Sequence, residues 1–182
     1  MTDLNMAKEI VEQAGFSCVG DLDVGTLNPL DEVRDMCKSG NCRQYGKNWA
    51  CPPGCGSLEE CRERLKQYSG GLLVQTVGSI EDSMDWEGIK ETEEKHKRLF
   101  LETAARLKAA YPDSLPLGSG TCTLCKTCSY PEEPCRHPDR RVSSMEAYGL
   151  LINEVCTKNG MKYYHGPDTI TYTACYLFAL SS

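Results

Sequence analysis

Apolar side chains recur with helical spacing through the middle of the chain. Between Asp85 and Tyr111 an apolar or small residue returns every three, four or seven positions, and charged residues occupy the positions between. This period predicts an amphipathic helix with one buried face. His96 falls on that face, and no second candidate metal ligand lies near it in the sequence. We therefore predict a hydrogen-bonded core histidine at this position rather than a metal ligand.

Two shorter helices are predicted to carry cysteine. Asn28-Pro29 is typical of a helix start, and the apolar spacing that follows turns Cys37 inward before the helix ends near Gly40. Ser57-Leu-Glu-Glu60 is a capping box, and Cys61 lies on the apolar face of the helix behind it. Both cysteines are therefore expected to project from helices.

The C-terminal part of the chain predicts a helix followed by a hairpin. Ser143-Ser-Met-Glu146 is a second capping box, and apolar spacing extends its helix as far as Asn159-Gly160. Residues 161–165 and 169–180 read as strands, and Gly166-Pro-Asp168 between them is a turn sequence. We expect these two strands to pair, with one face of the resulting sheet covered and the other partly covered.

Residues 16–21 and 71–77 also have the composition of strands. Helices and strands are mixed without a regular strand–helix–strand repeat, and no linker or low-complexity segment divides the chain. The pattern predicts a single α+β domain over residues 1–182. Its antiparallel or mixed sheet is packed with helices, and two cysteine-rich loop regions bind metal.

Composition and charge narrow the class of protein. The chain has 182 residues, with 26 acidic against 20 basic side chains and a formal net charge of −6, so it offers no basic surface for nucleic acid. No apolar run approaches the ~20 residues of a membrane span, and residues 1–16 contain acids where a signal peptide is apolar. We expect a cytoplasmic protein that binds neither nucleic acid nor membrane. The sequence leaves its oligomeric state open.

Cysteine is the outlying residue type. Nine of the 12 cysteines lie in two bursts, one within residues 37–61 and the other within residues 118–138, and residues 62–121 contain none. The overall density is below that of short disulfide scaffolds, and disulfide frameworks seldom cluster in this way. The clustering favours two metal sites. Outside the bursts, Cys18, Cys156 and Cys175 are predicted to be buried structural thiols, with a third cluster as the less favoured alternative.

The second burst carries the strongest motif in the chain. Cys122, Cys125 and Cys128 follow the spacing C-x2-C-x2-C, and Cys135 comes after six further residues. Three thiolates at this spacing bind three corners of a 4Fe–4S cluster, as in bacterial ferredoxins, and a more distant cysteine takes the fourth corner. A four-cysteine zinc site usually has two separated C-x2-C pairs, and a redox dithiol has one. Zinc and dithiol chemistry are therefore the less favoured alternatives.

The first burst offers five thiols for a site that needs four. We assign Cys37, Cys42, Cys51 and Cys61 as ligands of a second 4Fe–4S cluster, with zinc again as the alternative. Residues 43–50, between two of these cysteines, are long enough to fold over the site and exclude water. Cys55 is the extra thiol, and it is an alternative ligand, a redox thiol or a bystander.

Four sequence motifs together resemble a known family. They are Tyr45-Gly-Lys-Asn-Trp-Ala-Cys-Pro-Pro53, Gly118-Ser-Gly-Thr-Cys-Thr-Leu-Cys-Lys-Thr-Cys128, Pro134-Cys-Arg-His-Pro138 and Ser144-Met-Glu-Ala-Tyr-Gly149. From about Met36 to the final strand the chain resembles a cysteine-rich family of prokaryotic predicted metal-binding proteins of unknown function. The resemblance implies two metal sites, in proteins often associated with anaerobic metabolism. Its motif cysteines match the eight assigned above, and Cys55 departs from the usual pattern.

These observations lead to one favoured function and two alternatives. The sequence contains no P-loop, GxGxxG, HExxH or GxSxG motif, and an iron–sulfur cluster bound entirely by thiolates has no open iron. The favoured function is electron transfer to or from a partner redox enzyme. One alternative is an iron–sulfur enzyme in which a cluster or Cys55 contacts substrate, assisted by His137, His165, Tyr45 or Tyr164. The other is a zinc-stabilised interaction module.

Overall fold

One antiparallel sheet forms the centre of the molecule. The structure, a computed structural model, describes residues 4–39 and 42–179. Within them the sheet has four strands in the order β1-β2-β4-β3, all antiparallel to their neighbours. The strands are β1 (Cys18–Leu22), β2 (Gly70–Ser79), β3 (Leu115–Leu117) and β4 (Thr169–Phe178). With the helices around this sheet, the predicted α+β class is confirmed.

The helices flank the sheet, and the longest of them follows β2. In the described residues they are α1 (Leu4–Glu12), α2 (Asp31–Lys38), α3 (Leu58–Leu65), α4 (Trp86–Ala110) and α5 (Ile152–Lys158). The side chain of Asp85 caps α4 by accepting from the Gly88 amide, and Ser57 and Glu60 form the predicted capping box of α3. None of the helices in this part of the chain is long and apolar enough to cross a membrane.

Both faces of the sheet are packed. Alternate residues of β2 and β4 point to opposite sides, as the period of a strand requires. On one side the strands bury Leu72, Val74, Ala174, Tyr176 and Phe178 against α1 and α4. On the other side they bury Leu73, Cys175 and Leu177 in a cluster with Cys61, Leu65, Met145, Tyr148, Leu150, Val155 and Cys156. The second face is thus more completely covered than the sequence predicts.

The predicted helix from the second capping box is divided into two pieces, so that prediction was wrong. Glu146–Tyr148 forms a single 3-10 turn, Gly149 adopts a left-handed conformation with φ of 75°, and α5 begins only at Ile152. The Gly149 carbonyl accepts a hydrogen bond of 2.8 Å from the Leu30 amide, at the start of α2. This long-range contact requires a chain reversal that a continuous helix would not allow.

The predicted hairpin near the C-terminus was also wrong. Residues 161–165 form no strand, and both edges of β4 are taken, by β2 and by β3. Polar contacts hold this segment instead: the Gln75 side-chain amide donates to the Lys162 carbonyl at 2.8 Å, and the His165 Nε2 lies 3.0 Å from the Gln75 Oε1.

A glycine comparison tests how tightly the 3-10 turn is packed. A Cβ added at Gly149 would lie 2.6 Å from Leu58 Cδ1 and 3.0 Å from the Leu30 backbone, whereas one added at Gly160 would meet nothing within 4 Å. Both glycines have positive φ, so alanine at either site carries backbone strain of about 1–2 kcal/mol. We expect Gly149→Ala to cost about 1–3 kcal/mol more than Gly160→Ala because of overpacking. Thermal unfolding at equal metal content measures the difference, and equal losses would show that the turn relaxes.

Candidate metal centres

The four cysteines of the second burst converge. Cys122, Cys125, Cys128 and Cys135 line one concavity, which encloses about 330 Å³ counted with its opening to solvent. Each of the four is half-buried. The loop that carries them has no helix or strand, and side chains bond it to itself instead. Arg136 donates to the Thr127 carbonyl at 2.9 Å, and Ser129 donates to the Pro134 carbonyl at 2.8 Å.

A wall of this second site comes from the first burst. Asn48 and Trp49 line the same concavity as the four cysteines. The Trp49 indole donates to the Glu133 carbonyl at 3.0 Å, and its ring meets Tyr130 edge to face with centroids 4.8 Å apart. Residues 43–50 were predicted to cover the first site, but two of them, Asn48 and Trp49, lie against the second site. The spacing of the sequence did not indicate this contact.

At the first site, Cys37, Cys42 and Cys51 are electrostatic neighbours. Cys51 is buried, Cys37 is half-buried and Cys42 is exposed. Burial raises the pKa of the Cys51 thiol, the Thr121 hydroxyl opposes this, and the thiols of Cys42 and Cys37 raise it further. The pKa of Cys37 is likewise raised by burial and then by Cys42. The structure thus brings these three predicted ligands into one neighbourhood.

The other two thiols of the burst form a buried pair with an arginine. The Cys55 thiol donates to the Ala147 carbonyl at 3.8 Å. Interaction with Cys61 together with burial raises the pKa of Cys55, and the interaction with Cys55 and the charge of Arg34 lower the pKa of Cys61. The Arg34 Nη2 lies 3.2 Å from Cys61 Sγ and 3.6 Å from Cys55 Sγ. Two backbone carbonyls hold the guanidinium in place, that of Ala147 at 2.8 Å and that of Gly56 at 2.9 Å.

Sequence reasoning missed two charged residues at the first site, Arg34 and Glu146. Arg34 precedes Cys37 by one helical turn, and that spacing could have indicated that Arg34 lies on the same helix face as the cysteine. Glu146 lies near enough to Cys37 to raise the pKa of that thiol. Burial raises the pKa of Glu146 itself, and its Oε2 has no hydrogen-bond partner among the described residues. The sequence feature that could have indicated Glu146 is its place in the Ser144–Gly149 motif.

The fourth ligand of the first site remains a prediction. The sequence-based choice is Cys61, which is fully buried and lies against Cys55, Arg34 and Arg64. Cys55 also neighbours Cys51, whose charge contributes to its raised pKa. Cys55 is thus an electrostatic neighbour of both Cys61 and Cys51, which makes it a candidate for the same position.

The two sites adjoin. The Cys51 Sγ lies 3.4 Å from the Thr121 Oγ1, and the Asn48 amide donates to the same hydroxyl at 3.1 Å. Thr121 directly precedes Cys122 in the chain, and the Cys122 thiol contributes to the raised pKa of Cys51. One threonine thus separates a predicted ligand of each site.

The donor chemistry and the spacing of these thiols can be compared with what different metals require. Thiolates suit zinc, Cu(I) and iron–sulfur clusters. Four thiolates on one zinc ion, each about 2.3 Å from the metal, have sulfurs roughly 4 Å apart. Over residues 4–39 and 42–179, no group of three or more His, Cys, Asp or Glu side chains is arranged to hold a metal ion.

Residues 21–178 match the family described as predicted metal-binding protein, DUF2284. The chain belongs to this family. The matched range includes both cysteine bursts and all eight assigned cysteines, so the predicted resemblance is confirmed and metal binding is supported. No curated protein and no solved structure matches the chain.

The remaining candidate residues of this DUF2284 protein lie in different surroundings. His96 is a buried core histidine, as predicted, and its Nδ1 is 2.8 Å from the Thr76 Oγ1. Cys156 and Cys175 are buried in the core, and Cys18 is half-buried on β1. Among the side chains considered for catalysis, His137 lines the second site, whereas Tyr164 is exposed.

Proposed function

We propose that this DUF2284 protein binds two 4Fe–4S clusters and transfers electrons to or from a partner redox enzyme. The observation that carries the proposal is the convergence of Cys122, Cys125, Cys128 and Cys135 on one concavity. A cluster spreads its four thiolates over four iron corners, so it needs a wider arrangement than a single ion.

The second proposed cluster uses Cys37, Cys42 and Cys51 with a fourth thiol from the Cys55–Cys61 pair. Cys61 is the ligand that the sequence favours, and the position of Cys55 beside Cys51 favours Cys55. In either case Arg34 places a positive charge against the pair. That charge stabilises a thiolate in a buried site, where an unpaired charge would be costly.

Electron transfer is favoured over substrate chemistry because all the assigned ligands are thiolates and because side chains cover part of the second site. When bound, clusters ligated only by thiolates gain and lose single electrons and have no open iron. Asn48 and Trp49 cover one side of the second site, and Thr121 joins it to Cys51 of the first. The half-buried cysteines of the second site lie close to the surface, where a partner protein could approach.

The test is metal analysis after purification without oxygen. We expect about eight irons and eight acid-labile sulfides per chain, because each of two clusters holds four of each. The absorption of the protein should bleach on reduction and return on reoxidation. Zinc without sulfide would contradict the clusters and support the interaction module. Clusters that cannot be reduced and reoxidised reversibly would contradict the electron-transfer function but not the presence of the clusters.

A further inference from the structure

A separate cavity lies beside the second site, between α4 and the loop that leads to Cys122. We call it the α4 cavity, and it encloses about 410 Å³ counted with its opening. His96, Lys97 and Phe100 line it from the helix, residues 118–124 line it from the loop, and Arg140 lies across from them. Cys122 and Leu124 line both this cavity and the concavity of the second site. A molecule in the α4 cavity would therefore lie next to that site.

The buried histidine of this cavity has an unused polar atom. His96 is 1% exposed and its ring lies between Phe100 and Tyr172, with centroids 6.3 and 5.9 Å away. Its Nδ1 is bonded to Thr76, but its Nε2 has no hydrogen-bond partner among the described residues. A buried nitrogen without a partner is unfavourable. Burial also lowers the pKa of His96 to about 4, so the ring is neutral near pH 7.

The charges of the cavity are cationic, and much of its wall is apolar. Lys97 is paired with Glu93 at 2.8 Å and lies over Gly120, where an added Cβ would be 3.9 Å from its Nζ. Arg140 contacts His137 Nδ1 at 3.0 Å and forms no ion pair with an acid in the described part of the chain. Phe100, Leu101 and Val142 supply apolar surface. One uncompensated positive charge beside apolar walls suits a small anion with a hydrocarbon part.

We propose that the α4 cavity binds a small organic monocarboxylate. Arg140 and Lys97 attract its carboxylate, and the apolar walls bury its hydrocarbon part. With the Thr76 hydroxyl donating to Nδ1, the neutral His96 ring carries its proton on Nε2 and donates it to a carboxylate oxygen. The proposal concerns only side chains of this chain, so it does not depend on which metal the cysteines bind.

Three matched probes test the proposal by calorimetric titration of the intact protein. Propionate has both the charge and the hydrocarbon part, inorganic phosphate has charge alone, and 1-propanol has the hydrocarbon part alone. We expect saturable propionate binding with a dissociation constant in the millimolar range, weakened at high salt. Phosphate and 1-propanol should bind at least tenfold more weakly. Phosphate binding as tight as propionate, or no saturable propionate binding, would overturn the proposal.

Variants locate the binding. Lys97→Met and Arg140→Met should each weaken propionate binding at least fivefold, whereas Lys95→Met, on an exposed position of the same helix, should not change it. The chain has three histidines, so the His137→Gln and His165→Gln variants assign the His96 ring resonances by subtraction. Propionate should shift the His96 Nε2 resonance in the wild-type protein. Binding that leaves this resonance unmoved, or that persists in both cation variants, would place the ligand elsewhere and contradict the assignment.

Discussion

Iron and sulfide content should fall by half when Cys125 and Cys128 are both replaced by serine. The wild-type protein is expected to hold about eight of each per chain, and the variant about four, because a serine hydroxyl is a poor ligand for a soft iron–sulfur site. These two cysteines line the concavity of the second site. They are not among the assigned ligands of the first site, so the first site should keep its metal. Iron and sulfide assays on protein purified without oxygen give the result.

Cys18→Ser is the matched control for this variant. Cys18 is half-buried on β1 and belongs to neither burst, so its replacement should leave metal content unchanged. Full iron retention in the double variant would contradict the assignment of the second site. Loss of all iron would instead show that the two adjoining sites assemble only together, an outcome that the contact between Cys51 and Thr121 makes worth measuring.

Single replacements of Cys55 and Cys61 should separate the ligand of the first site from its neighbour. Cys55 lies beside both Cys51 and Cys61, so we expect Cys55→Ser to lose about half of the iron, the share of one cluster of two. Cys61→Ser should keep its iron, because the neighbours that shift the pKa of Cys61 are Cys55, Arg34 and Arg64, and the three other assigned thiols of the site are not among them. The reverse result would establish Cys61, the choice favoured by the sequence. If both variants lost all the iron of the first site, neither thiol would be a bystander.

Arg34→Met extends this test to the charge that the pair shares. The guanidinium contacts both sulfurs, so its removal leaves a buried thiolate without its cation. We expect metal content to decrease and the reduction potential of the first site to become more negative, with the second site unaffected. Arg62→Met, which removes a cation bonded to Pro29 and Glu59 instead, is the control. An equal reduction potential of the first site in the two variants would show that Arg34 does not act on that site.

Predictions from neighbouring residues were confirmed where no distant contact opposed them. The predicted capping box of α3 depends on side chains within a few positions of the amides they bind. The apolar stripe of α4 likewise predicted its buried face, including His96. Among the α-helices and strands of the described residues, α1 and β3 were not predicted. The three residues of β3 are too few to show a period, and that strand is held by pairing with β4. The α1 helix is held by packing against α4 and β2.

Predictions failed where a distant contact outweighed the local preference. Ser143 to Glu146 reads as a helix start, but the approach of Gly149 to Leu30 ends the turn after Tyr148. Residues 161–165 read as a strand, but β4 already had both of its neighbours. In each case the competing interaction came from residues far away in the chain, which no local pattern contains.

The sequence by itself determined the chemistry of this DUF2284 protein: twelve thiols, their grouping into two bursts, and the C-x2-C-x2-C spacing that brings three of them together in one short loop. Ligand type and short spacing are local properties, so they can be read from residue order. Only the tertiary structure decided that the two bursts adjoin at Thr121, that Trp49 of one covers the other, and that Arg34 reaches Cys61. Those contacts join segments that are remote in the chain, and packing around the sheet is what brings them within a few ångströms.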